Sequence, residues 1–189
     1  MTEKYRRMLL DSSGVRRVLA RMAAQILEAS HGTGDLVLVG IVSQGDVLAR
    51  RLCEHIQRVE GVVVRNGRLD ITLYRDDISR SGASTALKPT EIPFSIKDAT
   101  VVLVDDVLYT GRTVRAAMDA LMDIGRPRAI QLAVLVDRGH RELPIQPDYV
   151  GQVMHTRPDE EIEVRLAPDP ADDAVFLLEP APDWTAEEA

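Results

Sequence analysis

The chain has one cysteine, Cys53, so it cannot form an intramolecular disulfide, and a small secreted fold stapled by such bonds is excluded. Aromatic residues make up only 4% of it, and no run of about 18 apolar residues occurs, so a membrane-spanning helix is not expected. The segment Met1 to Leu10 carries arginines without an apolar stretch, unlike a secretion signal, which places the protein in the cytoplasm. Two familiar nucleotide-binding signatures are missing as well. There is no G-x-x-x-x-G-K-[ST] loop, and Gly32-Thr33-Gly34 precedes its strand where a dinucleotide fold needs glycines after it.

What is present is a 189-residue chain, long enough for one domain with a sizeable core. Its net charge of -7 is unevenly distributed. Seven acidic residues and no Lys or Arg fall between Ala167 and Ala189, which leaves the body with 23 charges of each sign. Overall acidity therefore does not exclude a local basic face for nucleic acid.

Val15, Val18, Leu19, Met22, Ala23, Ile26 and Leu27 recur at helical spacing behind the capping residues Asp11, Ser12 and Ser13. Leu36 to Val42 is an unbroken apolar run of the kind buried on both faces of a sheet, and a helix is expected from about Asp46 to Arg58 with Cys53 in its core face. The alternation continues with strands near Leu69 to Tyr74 and Thr100 to Val104, a helix Arg112 to Ile124, and a strand Ile130 to Val136. This order predicts an α/β fold with a central parallel sheet flanked by helices. Shorter strands are expected near Tyr149 to Val153, Ile162 to Leu166 and Val175 to Leu178. The polar stretch Asp76 to Pro93 reads as a flexible lid, a mobile insertion or a hairpin. A single domain over 1–179 with an acidic, disordered tail over 180–189 completes the expected organisation.

In such sheets ligands collect beyond the carboxyl ends of the strands, here at Ser43 to Asp46, Asp105 to Thr113 and Asp137 to Arg141. The strongest local signal is Asp105-Asp106-Val107-Leu108-Tyr109-Thr110-Gly111-Arg112-Thr113. Unpaired amides at the start of a helix favour an anion, Gly111 permits close approach, and the hydroxyls of Thr110 and Thr113 can donate, so a phosphate fits. Adjacent carboxylates would repel that phosphate and should instead face hydroxyls or a metal. A ribose 5-phosphate meets both demands, with Asp105 and Asp106 accepting from the 2- and 3-hydroxyls.

This nonapeptide resembles the phosphoribosyl pyrophosphate motif of type I phosphoribosyltransferases. Together with Leu69 to Asp77 and Leu132 to Ile145 it is similar to the PyrR family of pyrimidine operon regulators, over about Asp11 to Leu166. The resemblance implies that fold, with a small hood and a flexible lid, and a homodimer or higher homo-oligomer. It implies Mg2+-dependent transfer of phosphoribose to uracil, giving UMP and pyrophosphate. Ser43, Gln44 and Gly45, in the Gly40 to Gly45 loop, would face pyrophosphate. Val107, Leu108, Tyr109, Thr110, Gly111, Arg112 and Thr113 would hold the sugar phosphate. Asp105, Asp106, Arg75 and Asp76 would be catalytic, with the two adjacent acids also near the metal, indirectly through the sugar diphosphate. Val136, Asp137 and Arg138 would read uracil.

It further implies binding of pyrimidine operon leader RNA under control of UMP or UTP, through Arg16, Arg17, Arg21, His140 and Arg141. Two departures stand out. Ser43-Gln44 replaces the family's Thr-Arg and removes a cation from the pyrophosphate loop, which raises the alternative of a regulator with weakened catalysis. Ala20, Ala24, Gln146 and Gln152 stand where relatives are basic, which removes charge from the expected RNA face. Another base, as in purine salvage, is the remaining alternative, since those enzymes share the phosphate turn.

Overall fold

Two sheets of opposite character organise the protein. The computed structural model describes residues 4–30, 32–76 and 88–180. In chain order these form β1 (Lys4–Leu10), α1 (Ser12–Ser30), β2 (Leu36–Ile41), α2 (Gln44–Glu60), β3 (Arg65–Leu69), β4 (Thr100–Leu108), α3 (Arg112–Ile124), β5 (Ala129–Asp137), β6 (Tyr149–Val153), β7 (Glu161–Arg165) and β8 (Ala174–Pro180). Single 3-10 turns cover Thr72–Tyr74 and Pro170–Asp172. The larger sheet is parallel with order β3-β2-β4-β5-β6, and the smaller is antiparallel with order β1-β8-β7.

Alternation along each buried strand divides the core. Leu36 and Leu38 of β2, Val102 and Val104 of β4, and Ala133 and Leu135 of β5 face α1 and α2. Val37, Val39, Val101, Leu103, Leu132 and Val134 point the other way and pack against Val114, Ala117 and Leu121 of α3. Full burial of side chains of this size contributes roughly 1.5–3 kcal/mol each, enough to fix the strand register. Cys53 belongs to the first layer, and burial pushes its thiol up to about 12, which leaves it a packing residue. The Gly14 amide donates to Asp11 Oδ1 (2.7 Å), so Asp11 caps α1 and this bond lowers its pKa.

The expected helices and most strands stand within a few residues of their predicted bounds, with three corrections. β3 spans Arg65–Leu69, before the predicted strand at Leu69 to Tyr74. Asp70 ends it, because Oδ1 accepts from both the amide and hydroxyl of Thr72 (2.9 and 2.5 Å) and turns the chain into a 3-10 turn. β4 runs to Leu108, beyond the expected end at Val104, because Val107 and Leu108 remain paired with Val136 and Asp137 of β5. β1 was not foreseen; Met8 and Leu10 pair with Phe176 and Val175 of β8, from the other end of the chain.

Of the expected lid, residues 77–87 lie outside the described residues, as do 181–189 of the expected tail. The returning limb is anchored to β3, where Arg68 and Glu91 exchange backbone hydrogen bonds of 3.0 and 2.9 Å. Among the described residues no helix is long and apolar enough to cross a membrane.

Candidate active site

The carboxyl ends of β2, β4 and β5 converge at one edge of the parallel sheet. Asp105 and Asp106 sit in the last turn-ward residues of β4, one buried and the other half-buried. Each turns back on its own chain, with Asp105 Oδ1 accepting from the Asp106 amide and Asp106 Oδ1 from the Val107 amide, both at 3.0 Å. Burial raises both carboxyl pKa values, and the neighbouring charge of Asp106 raises Asp105 further. The pair therefore holds a proton more readily than ordinary carboxylates and behaves as one coupled unit.

Beyond β4 the chain turns through Gly111, whose φ of 92° suits a residue without a side chain, and enters α3. The first helical hydrogen bond runs from the Arg115 amide to the Gly111 carbonyl (2.9 Å). Among the described residues the amides of Gly111, Thr113 and Val114 have no partner. Orphan amides at a helix start, reinforced by its dipole, form an anion cradle. The Arg112 amide lies 3.4 Å from Thr110 Oγ1, a long contact. Val107 and Leu108 differ from the expected turn residues in being strand: the Val107 amide is taken by Asp106, and the Leu108 side chain is buried. The cradle therefore centres on Tyr109 to Thr113.

The turn is fastened from two sides. Thr110 accepts through its carbonyl from the amides of Glu142 and Leu143 (3.0 and 3.2 Å), and Ile145 and Leu143 pack beside Gly111. Arg112 spans Glu142 (2.6 Å) and Asp76 (2.7 Å), so Asp76, at the root of the expected lid, meets the Tyr109 to Thr113 turn; Arg115 adds a longer contact at 3.8 Å. These side chains are about half exposed, so each pair is worth only about 0–1 kcal/mol and can exchange for a ligand. Arg75, exposed, follows the Thr72–Tyr74 turn.

The opposing wall is the loop 40–45. A Cβ on Gly40 would stand 2.2 Å from the Gly45 carbonyl oxygen, and one on Gly45 would stand 2.4 Å from that of Val104. Gly40 thus lets the N-terminus of α2 lie directly against β2, and Gly45 lets it lie against β4, beside the acids. The Val42–Ser43 peptide is cis, and Ser43 is exposed. Gln44 does not reach into the site: its Oε1 accepts from the Leu166 amide (3.3 Å), linking α2 to the smaller sheet.

At the end of β5, Val136 is wholly buried, so only its backbone can meet a ligand. Asp137 accepts from Arg141 (2.6 Å) and from the Gly139 amide (3.0 Å). Arg138 is buried, donates to Thr156 Oγ1 (3.1 Å) and to the carbonyls of Arg157 (3.1 Å) and Glu160 (2.7 Å), and lies 4.1 Å over the Tyr109 ring. The 156–160 segment and Glu142, which sequence reasoning missed, are thus parts of the site; no local pattern marks them, because their partners lie on other elements.

The expected RNA contacts divide. Arg16, Arg17 and Arg21 are exposed on α1, but Arg17 donates to Ser13 (3.0 Å) and Arg21 to the carbonyls of Val150 and Gly151 on β6. His140 contacts the Thr156 carbonyl (2.6 Å) and the Tyr109 ring edge. Arg141 spends its guanidinium on Asp137 and on the carbonyls of Tyr109 and Ile145, so it braces the loops where an outward contact was expected.

Residues 6–170 match the family model described as Phosphoribosyl transferase domain. The bifunctional protein PyrR of Pelotomaculum thermopropionicum is 55% identical over 92% of this chain and 96% of its own. That of Bacillus subtilis is 51% identical over 90% and 96%. A hypoxanthine-guanine phosphoribosyltransferase of Bacillus anthracis has the same fold, with TM-score 0.66 at 19% identity, covering 95% of this chain and 99% of that one.

Proposed function

The chain belongs to the PyrR family, within the phosphoribosyl transferase domain proteins, and from that premise we infer a uracil phosphoribosyltransferase that also regulates pyrimidine genes. The observation that carries the enzymatic reading is the buried acid pair Asp105-Asp106 standing immediately before the unpartnered amides of Gly111, Thr113 and Val114. No purely structural strand-turn-helix needs both.

In this reading the amides and the Thr110 and Thr113 hydroxyls bind the 5-phosphate, and Asp105 and Asp106 accept from the ribose hydroxyls. The bond from C1 to the pyrophosphate oxygen breaks, the bond from C1 to the uracil nitrogen forms, and the proton leaves that nitrogen. Positive charge developing at C1 favours the ionised form of Asp105 and Asp106, which stabilise it from below the ring, while the amide cradle, already oriented, holds the 5-phosphate. Pyrophosphate departs along the Gly40 to Gly45 loop, toward the α2 N-terminus. Uracil lies against the backbone of Val136, Asp137 and Arg138. Asp76, paired with Arg112, and Arg75 before it stand beside the turn that takes the phosphate.

Among the described residues no cluster of three His, Cys, Asp or Glu side chains fits a resident metal. Mg2+ would instead arrive with the sugar diphosphate and neutralise charge on the leaving pyrophosphate, with Asp105 and Asp106 near it only indirectly, through that ligand. For regulation, the exposed Arg16 and Arg17 are the contacts available to leader RNA, with UMP or UTP as the signal. A cytoplasmic, homo-oligomeric protein fits both roles.

The test is a panel assay with Mg2+, phosphoribosyl pyrophosphate and each free base. UMP formation with uracil is expected; preference for guanine or hypoxanthine would replace this reading with purine salvage.

A further inference from the structure

A second cleft lies away from the phosphate turn, between α1, α2 and the Pro170–Asp172 turn. It encloses about 430 Å3, within the range of sites for small molecules. Its walls differ in character. Leu19, Pro170 and Ala171 supply apolar surface, while Arg16 comes from α1, and His55 and Arg58 come from α2.

Charges in this cleft are not all spent on one another. Arg51 is buried and already paired with Asp173, while also donating to the Ala167 carbonyl, so that unit is internally neutral. Asp169 accepts from the Ala171 amide (2.9 Å) and caps the 3-10 turn. By contrast, Arg16 and Arg58 have no hydrogen bond or ion pair among the described residues. Two unpaired guanidiniums from different helices therefore face one cavity, opposed by Glu54. Burial lowers the His55 pKa, and the nearby Arg58 lowers it further against the opposing Glu54, so its imidazole is neutral in the free cleft and reports any charge that enters.

We propose that this cleft is a second ligand site, for a nucleoside phosphate, with Arg16 and Arg58 sharing the phosphate and Leu19, Pro170 and Ala171 meeting the nucleoside. Guanidiniums suit that role because their planar forks match phosphate oxygens. Glu54 and the second oxygen of Asp169 remain for sugar hydroxyls or a base N–H, which inorganic phosphate cannot offer. The cleft is distinct from the site of transfer: on α2 its residues begin seven positions beyond Gln44, roughly 10 Å along the helix. The proposal does not depend on the base that is transferred.

The test is a magnetic resonance titration of the full chain, following the His55 imidazole and the amides of Gly111 and Thr113 as separate reporters. The probes are UMP, AMP and inorganic phosphate. A nucleotide is expected to shift His55 saturably, inorganic phosphate at least about tenfold more weakly. Arg16→Ala/Arg58→Ala should weaken the His55 response at least about tenfold and leave the UMP-induced shifts of Gly111 and Thr113 in place. Each single substitution should give a smaller loss, and circular dichroism checks that the fold persists. Either of two results would overturn the proposal: His55 unmoved by nucleotide, or an equal response in the double variant. Phosphate acting as strongly as nucleotide, or shifts that follow protein concentration alone, would also overturn it.

Discussion

Gly45 at the start of α2 approaches Val104 of β4 so closely that a Cβ on it would stand 2.4 Å from the Val104 carbonyl oxygen and 3.2 Å from the Asp105 Cα. Neither obstacle is a flexible side chain, so Gly45→Ala must push α2 and the 40–45 loop off the strand that carries the acids. The expected loss is about 1–3 kcal/mol of stability together with at least about tenfold in turnover. Thermal unfolding and steady-state kinetics on the same preparation check both.

Asp105→Asn separates stability from function. The folded-state pKa of Asp105 is raised by burial and by Asp106, so the native protein favours its protonated form. Its contribution is therefore fully present below the unfolded carboxylate pKa and is lost as pH rises through the raised value. The ligand-free Asn variant should be more stable than the parent at neutral pH, by about 1 kcal/mol, and flatter with pH, while turnover falls at least about 100-fold. Denaturant melts across pH, read beside activity, provide the check; a less stable variant would contradict the assigned cause.

Arg138 is both a brace and a stacking partner for Tyr109. Arg138→Ala would leave Thr156 Oγ1 and the Arg157 and Glu160 carbonyls without their donor, costing about 2–4 kcal/mol. Tyr109→Leu removes the ring beneath the guanidinium together with its edge contact to His140 and should cost about 1 kcal/mol. If the base lies here, both variants should raise KM for uracil more than KM for phosphoribosyl pyrophosphate.

Gln44→Arg places a cation in the 40–45 loop, proposed to take pyrophosphate, at the expense of the 3.3 Å contact with the Leu166 amide. That contact is worth only about 0.5–1 kcal/mol, so the fold should tolerate the change. KM for phosphoribosyl pyrophosphate is expected to fall several-fold, with product inhibition by pyrophosphate strengthened alongside. Unchanged values for both would mean that the backbone of the loop alone sets its affinity.

The parts of this molecule written in local pattern were readable from sequence, and the parts made by distant pairing were not. α3 and β6 carry their periodicity and breakers within their own residues, and their bounds matched. β3 did not, because Arg65–Leu69 is a largely polar edge strand, while the apolar residues after it, Ile71 and Leu73, belong to a turn fixed by Asp70. β1 depends on β8, more than 160 residues away, and its arginines hide the pattern. Within the site, the Asp105-to-Thr113 turn was legible because its chemistry lies in nine consecutive residues. The destinations of Gln44, Arg138 and Arg141 were not, since each side chain answers to carbonyls, amides or carboxylates that only the folded chain brings near.

What we propose above all is that orphan amides at the start of α3 grip the sugar phosphate beside the acid pair. It is tested most directly by backbone amide shifts on adding UMP, comparing the parent with Asp105→Ala/Asp106→Ala. In the parent the largest shifts should fall on Tyr109 to Thr113, and the double variant should need at least about tenfold more UMP to reach them. Shifts concentrated elsewhere while Gly111 and Thr113 stay unmoved, or equal affinity in the two proteins, would contradict the account.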